Sequence, residues 1–192
     1  MRRPTAAAAV TIMTIALAMT PLAAHAGVDP IGVPQNADGR SATLGLVRQA
    51  TAAYHSLPNA LDAGFVPFAV DGSSTPTCFD SASGGMGVHY VRNVDDTIDA
   101  TDPEALVYEI SGSGELALVA VEYVVPQEFV EDESGAVTAL PSLHGRSFHK
   151  HSSLPLYILH AWIWEQNPEG TFADFNLEVG PCPANLALLT IN

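Results

Sequence analysis

Three ionisable side chains stand where the surrounding sequence is apolar. Glu122 interrupts Leu116 to Val125 (LALVAVEYVV), His160 interrupts Leu154 to Glu165 (LPLYILHAWIWE), and His89 follows Gly-Met-Gly-Val in a third run. Successive strand residues point to opposite faces. Both faces around Glu122 read as apolar, so its strand is expected to be covered on both sides. A lone carboxylate there loses several kcal/mol of solvation unless it is protonated, paired or bound to a cation. Two imidazoles and a carboxylate form the usual ligand set of catalytic zinc and non-haem iron, and imidazole also suits copper. His89, Glu122 and His160 are therefore the candidate ligands of a divalent transition metal (Zn, Fe or Cu). They fall on separate strands, with no H-x-x-x-H or H-x-D spacing to certify them. The competing expectation is a metal-free His-Glu-His network that only stabilises the core.

His55 and His149 are the further histidines that could complete or back such a site. His149 and His151 are two apart and would share a strand face, or sit as a solvated pair beside Ser152 and Ser153. His144 is a weaker candidate. Tyr90, Trp162 and Trp164 are candidate pocket-lining residues, the tryptophans falling on the face of His160 by strand alternation, with core packing as the plainer role. The chain has no G-x-S-x-G elbow, phosphate-binding glycine loop or dinucleotide fingerprint. Gly84-Gly85-Met86-Gly87 precedes a strand and reads as a turn or a close backbone approach.

The elements that must position these groups can be read from periodicity. Val47, Ala50, Tyr54, Leu57 and Leu61 recur at helical spacing, giving a helix from Ser41 to about Leu61, split near Pro58 and ended by Gly64. Met86–Arg92, Ala105–Ile110, Leu116–Val125 and Leu154–Glu165 read as strands. Ser111-Gly112-Ser113-Gly114 marks a hairpin between the second and third. Glu128 to Gly135 reads as an acidic surface loop, and Asn167-Pro168-Glu169-Gly170 as a turn into a short tail. The expected fold is α+β: an N-terminal helix packed on a mainly antiparallel, sandwich-like or barrel-like sheet.

Arg2 and Arg3, the apolar Val10–Met19, Pro21 and Ala24-His25-Ala26 follow the order of a secretory signal peptide, with cleavage expected after Ala26. Residues 27–40, rich in Gly, Pro and Asp, then form a mature arm before a single domain over 41–192. Loss of Arg2 and Arg3 leaves five basic residues against 21 acidic ones, a net charge of −16. Such a surface repels phosphate backbones and anionic lipids. The expectation is thus a secreted or extracytoplasmic protein with no nucleic-acid partner and no stable membrane anchor, open to a metal or small-molecule ligand, with no protein partner specified. Cys78 and Cys182 are an isolated pair in an oxidising compartment and are expected to form a disulfide.

Ala-Thr-Ala-Ala-Tyr-His (50–55), Gly-Gly-Met-Gly-Val-His-Tyr (84–90), Pro-Glu-Ala-Leu-Val-Tyr-Glu (103–109), Val-Glu-Tyr (121–123) and Leu-His-Ala-Trp-Ile-Trp with Asn-Pro-Glu-Gly-Thr-Phe are spread along the mature chain. Over about residues 41–182 these motifs resemble a family of uncharacterised exported bacterial proteins. The resemblance implies export and an intact fold but assigns no reaction. Asn176-Leu177 departs from the Asn-Pro expected there, and the residues after Cys182 read as an extension. His55, His89, Glu122 and His160 all fall inside the motifs.

Overall fold

The computed structural model describes residues 37–184 and 188–190. The expected leader and its processing point, with the first part of the arm, lie outside the described residues. Helix α1 covers Ala37–Thr51, so residues 37–40, expected in the arm, are helical. Thr43, Val47 and Thr51, four apart, are all fully buried, and the Thr51 hydroxyl donates back to the Val47 carbonyl at 2.8 Å. A short 3-10 turn over Ala52–His55 and an extended Ser56 separate α1 from α2 (Leu57–Asp62). The break falls just before Pro58, which occupies the first turn of α2, where its missing N–H costs no helical hydrogen bond. Gly64, at φ +91°, ends α2, and the Phe65 N–H donates to the Ala60 carbonyl at 3.0 Å.

The strands follow in chain order: β1 (Val66–Pro67), β2 (Cys78–Ser81), β3 (Gly84–Val91), β4 (Ala105–Ile110), β5 (Leu116–Pro126), β6 (Ser142–Leu143), β7 (Arg146–Ser147), β8 (His149–Lys150), β9 (Leu156–Ala161) and β10 (Leu188–Thr190). Eight of them form one sheet in the order β10-β2-β3-β4-β5-β9-β8, with β1 also on β3; β6 and β7 make a separate ribbon. Every pairing is antiparallel except β10 with β2. The helix, the mostly antiparallel sheet and the single disulfide are as expected; the sheet is not closed as a barrel. No described helix is long and apolar enough to cross a membrane.

Both faces of the sheet are covered. One face packs Val88, Tyr90, Leu106, Tyr108, Tyr123 and Leu159 into the main core with Val47, Ala60 and Phe65 of the helical region. Two smaller clusters hold the other face, one of Val107, Val119, Ala120, Trp162 and Val179, the other of Ala105, Val124 and Ile158. Strand β5 shows the consequence: Leu118 through Val125 are buried without interruption. Part of the second cover comes from the tail. Gly85 and Asn176 exchange backbone hydrogen bonds at 3.1 and 2.9 Å, and Val179 follows onto the sheet.

That approach explains the glycine run before β3. A Cβ on Gly87, whose φ is +93°, would lie 2.3 Å from the Tyr108 carbonyl oxygen. The same residue breaks the strand alternation, so Met86 and His89, three apart, line one cavity. The Cys78–Cys182 disulfide, closing a separation of 104 residues, fixes where the tail crosses the sheet edge, and Leu188 then pairs beside Cys78. Strand β9 is shorter than the sequence suggests. After Ala161 the Trp162 N–H turns to the Thr171 carbonyl, and the N–H groups of Trp164 and Glu165 both reach the Val119 carbonyl.

Candidate metal centre

Register brings the three candidate ligands together. Glu122 on β5 lies directly opposite His160 on β9 and Ala105 on β4, and His89 on β3 lies opposite Val107, two residues along β4 on the same face. At the level of Glu122, β4 thus offers only the methyl of Ala105. The His89 imidazole reaches over it, placing Nε2 3.4 Å from Glu122 Oε2, while His160 Nδ1 lies 3.3 Å from Glu122 Oε1. One ligand atom from each of the three residues lies within 4.8 Å of the others. His160 is fully buried, and His89 and Glu122 are 4% and 7% exposed. These three residues can hold a metal ion.

The separations are those of an ion pair, but burial drives all three groups toward neutrality. Glu122 is pushed up to about 8, first by burial and then by the charges of Asp174 and Glu104. His160 is pushed down to about 4 by burial, against an opposing pull from Asp174. His89 is held well below the usual histidine range by burial and by His160 and His151. No good hydrogen bond joins them either: His89 Nδ1 and both ring nitrogens of His160 are buried without a hydrogen-bond partner. Direct charge-assisted bonds have N–O distances of about 2.7–2.9 Å. By contrast, ligand atoms about 2.0–2.1 Å from a tetrahedral ion are about 3.3–3.4 Å apart, and each imidazole stands at that distance from one oxygen of Glu122, a different oxygen for each ring.

The trio sits beside a cavity of about 250 Å³. Apart from His89, Glu122 and His151, its lining is apolar, with Phe68, Phe79, Met86, Val124 and Ile158 among its walls. The Phe79 ring meets the His89 ring edge-on at 5.1 Å, and Trp162 stacks on His160 at 6.0 Å with an interplanar angle of 13°. These aromatics fix the two imidazole planes by packing.

The remaining candidates are dispersed. His55 is exposed on the helix side, edge-on to Trp164 at 4.4 Å. Tyr90 packs edge-on against Tyr108 in the main core, so it does not line the cavity. Trp164 also faces the helix, its Nε1–H donating to the Thr51 hydroxyl at 3.2 Å. The alternation that would have put it beside His160 ends with β9 at Ala161. Trp162 keeps the expected face but is a packing residue behind His160, its Nε1–H donating to the Ala173 carbonyl. His149 is 45% exposed and pairs with Asp174 at 3.1 Å, a hydrogen bond that raises its pKa.

Two residues near the site carry little signal in sequence. His151 reads as a loop partner of His149, yet it is 9% exposed and lines the cavity, because β8 ends at Lys150 and the chain turns. Asp174, in Thr-Phe-Ala-Asp-Phe, comes from the tail. Burial raises its pKa, but the His149 hydrogen bond and the nearby histidines carry it below the ordinary value. In sequence, only the density of histidines over 149–160 hints at this neighbourhood. In comparisons with known proteins, no family model, curated protein or solved structure matches this chain.

Proposed function

We propose that this chain is an exported metalloprotein that holds one divalent transition-metal ion between His89, Glu122 and His160 at the wall of an apolar cavity. The observation that carries the reading is the bonding of the buried trio: ring nitrogens without hydrogen-bond partners, each imidazole 3.3–3.4 Å from a Glu122 oxygen rather than at hydrogen-bond length, and one ligand atom of each residue within 4.8 Å of the others. Among Zn, Fe and Cu, a donor set with one carboxylate and no thiolate does not favour Cu(I). Three protein ligands leave a fourth position open, the arrangement of catalytic rather than structural zinc sites. A bound ion there supplies Lewis acidity toward a carbonyl or a water. The chain's own part is to hold two neutral imidazoles ready as ligands and to exclude bulk water. Export is supported by the leader-like N-terminus and by the disulfide.

A metal-free core network is the second reading. It is favoured by the pKa directions, since a protonated Glu122 between two neutral histidines carries no net charge. Elemental analysis of untagged protein, followed by chelation and titration with zinc or cobalt, separates the two. The metal reading expects one ion per chain and loss of binding in His89→Ala and His160→Ala. A protein that purifies metal-free and binds neither ion at micromolar concentration overturns it.

A further inference from the structure

The cavity beside the trio contains one polar group that the metal site does not use. His151 is 9% exposed, and its Nδ1 accepts hydrogen bonds from the backbone N–H groups of Ser153 at 3.1 Å and Leu154 at 3.0 Å. Two donors aimed at Nδ1 leave no room for a proton there, so the neutral ring carries its proton on Nε2. Burial also holds the ring below its ordinary pKa, which favours this neutral form. His151, its proton on Nε2, stands in the same lining as His89 and Glu122.

Charge balance then says what fits. A divalent ion on one carboxylate and two neutral imidazoles carries a net charge of +1. Among the described residues no other acidic side chain lines the cavity, and Asp174, whose charge reaches Glu122 and His160, is paired with His149. A net charge in apolar surroundings is costly, and a monoanion beside the ion removes it. The remaining lining is hydrocarbon and aromatic: Phe68, Phe79, Val91, Leu154 and Leu156, with Val94, 39% exposed, at the rim. Its volume of about 250 Å³ exceeds the ~150 Å³ that accommodates benzene in an apolar cavity.

Building on the metal reading above, we infer that the cavity binds a small apolar monocarboxylate, such as a short-chain fatty acid or a simple aromatic acid. The carboxylate takes the open position of the ion and accepts from His151 Nε2–H, and the apolar body lies among the phenylalanines and aliphatic side chains. His151 is a positioning residue in this arrangement, touching the ligand and leaving the ion to the trio.

The test uses cobalt-loaded and zinc-loaded protein, with hexanoate and benzoate as probes and 1-hexanol and benzyl alcohol as their neutral counterparts. Cobalt absorption reports occupancy of the trio before any acid is added, so failure of the metal site is seen separately. On loaded protein the acids should perturb the cobalt spectrum and bind by calorimetry, and the alcohols should bind about tenfold or more weakly, the worth of a charged hydrogen-bond partner. His151→Asn keeps an acceptor for the Ser153 and Leu154 N–H groups but removes the far donor. It should weaken acid binding by about ten- to hundredfold with the cobalt spectrum intact. His151→Gln, which restores an N–H near the Nε2 position, should recover most of the loss. Loaded protein that ignores both acids, binds alcohols as well as acids, or binds acids equally well as His151→Asn overturns the inference while leaving the metal site standing. Absence of cobalt binding removes both.

Discussion

Replacing Glu122 by Gln should have opposite effects on the metal-free and metal-loaded protein. Folding carries this carboxyl from an ordinary value of 4.5 to about 8. A raised carboxyl binds its proton more tightly in the folded state. Its contribution to stability is therefore complete below pH 4.5 and is lost progressively as the pH rises toward 8. At pH 7 the unfolded chain has gained 2.5 units of ionisation that the folded chain has not, worth about 3 kcal/mol at 1.36 kcal/mol per unit. Gln cannot ionise in either state, so Glu122→Gln should stabilise chelator-treated protein by about 3 kcal/mol at pH 7 and by less than about 1 kcal/mol at pH 5. With metal present the order reverses. The wild type gains the mass-action stabilisation of a bound ion, whereas the variant, lacking the only charged ligand, should lose more than the 10- to 100-fold affinity typical of second-layer changes. Urea unfolding at both pH values, with chelator and with zinc, reads all four quantities. A variant less stable than wild type at pH 7 in chelator, or a gain equal at the two pH values, would refute the assignment of Glu122 as a buried, proton-retaining carboxyl.

Three further outcomes follow from the fold. Reducing or removing the Cys78–Cys182 disulfide, which spans 104 residues, should cost about 4–5 kcal/mol in the chain-entropy view, seen as a lower urea midpoint in reductant. Gly87→Ala should destabilise by several kcal/mol in the same assay, since its Cβ would lie 2.3 Å from the Tyr108 carbonyl at φ +93°; near-wild-type stability would mean β3 can shift away from β4. Asp174→Asn should lower the His149 titration point followed by NMR, because the Asp174 hydrogen bond is what raises it. The sign for stability follows: the His149 contribution is complete below pH 6.5 and fades as the pH climbs through the raised folded value.

Much of the sheet was legible because its strands obey simple periodicity. Ala105–Ile110 matches β4 throughout, and the Ser-Gly-Ser-Gly turn closes on Ser111 and Gly114 as a hairpin should. The trio was legible for a different reason. A charge inside a doubly covered strand announces itself; pairing of β5 with β9 sets Glu122 opposite His160, and His89 reaches over Ala105 from β3. Local sequence failed where tertiary contacts override alternation. The double hydrogen bond to the Val119 carbonyl ends the run that should have carried Trp164 to the site, and the positive φ of Gly87 places Met86 and His89 in one lining. Strands of two or three residues, such as β1, β8 and β10, have no periodicity to read. His151 was hidden because its burial depends on the end of β8.

The way this protein treats its other buried polar groups bears on why the trio is there. Asn176, fully buried, donates from its side chain to the Gln166 carbonyl at 3.1 Å and accepts the Glu178 N–H at 3.0 Å. Glu104, 5% exposed and also pushed up to about 8, accepts the Val124 N–H at 3.0 Å. Tyr108 donates to the Tyr54 carbonyl, and Tyr123 to that of Ala100. Each of these polar groups fixes a piece of the fold and makes hydrogen bonds in doing so. The trio departs from that pattern in its hydrogen bonding: three of its four ring nitrogens lack partners. Selection for stability alone would favour an apolar replacement at such a position. Strained or under-bonded groups that persist against that pressure concentrate at functional sites. A divalent ion would give Glu122 a counter-charge and both imidazoles a partner at once.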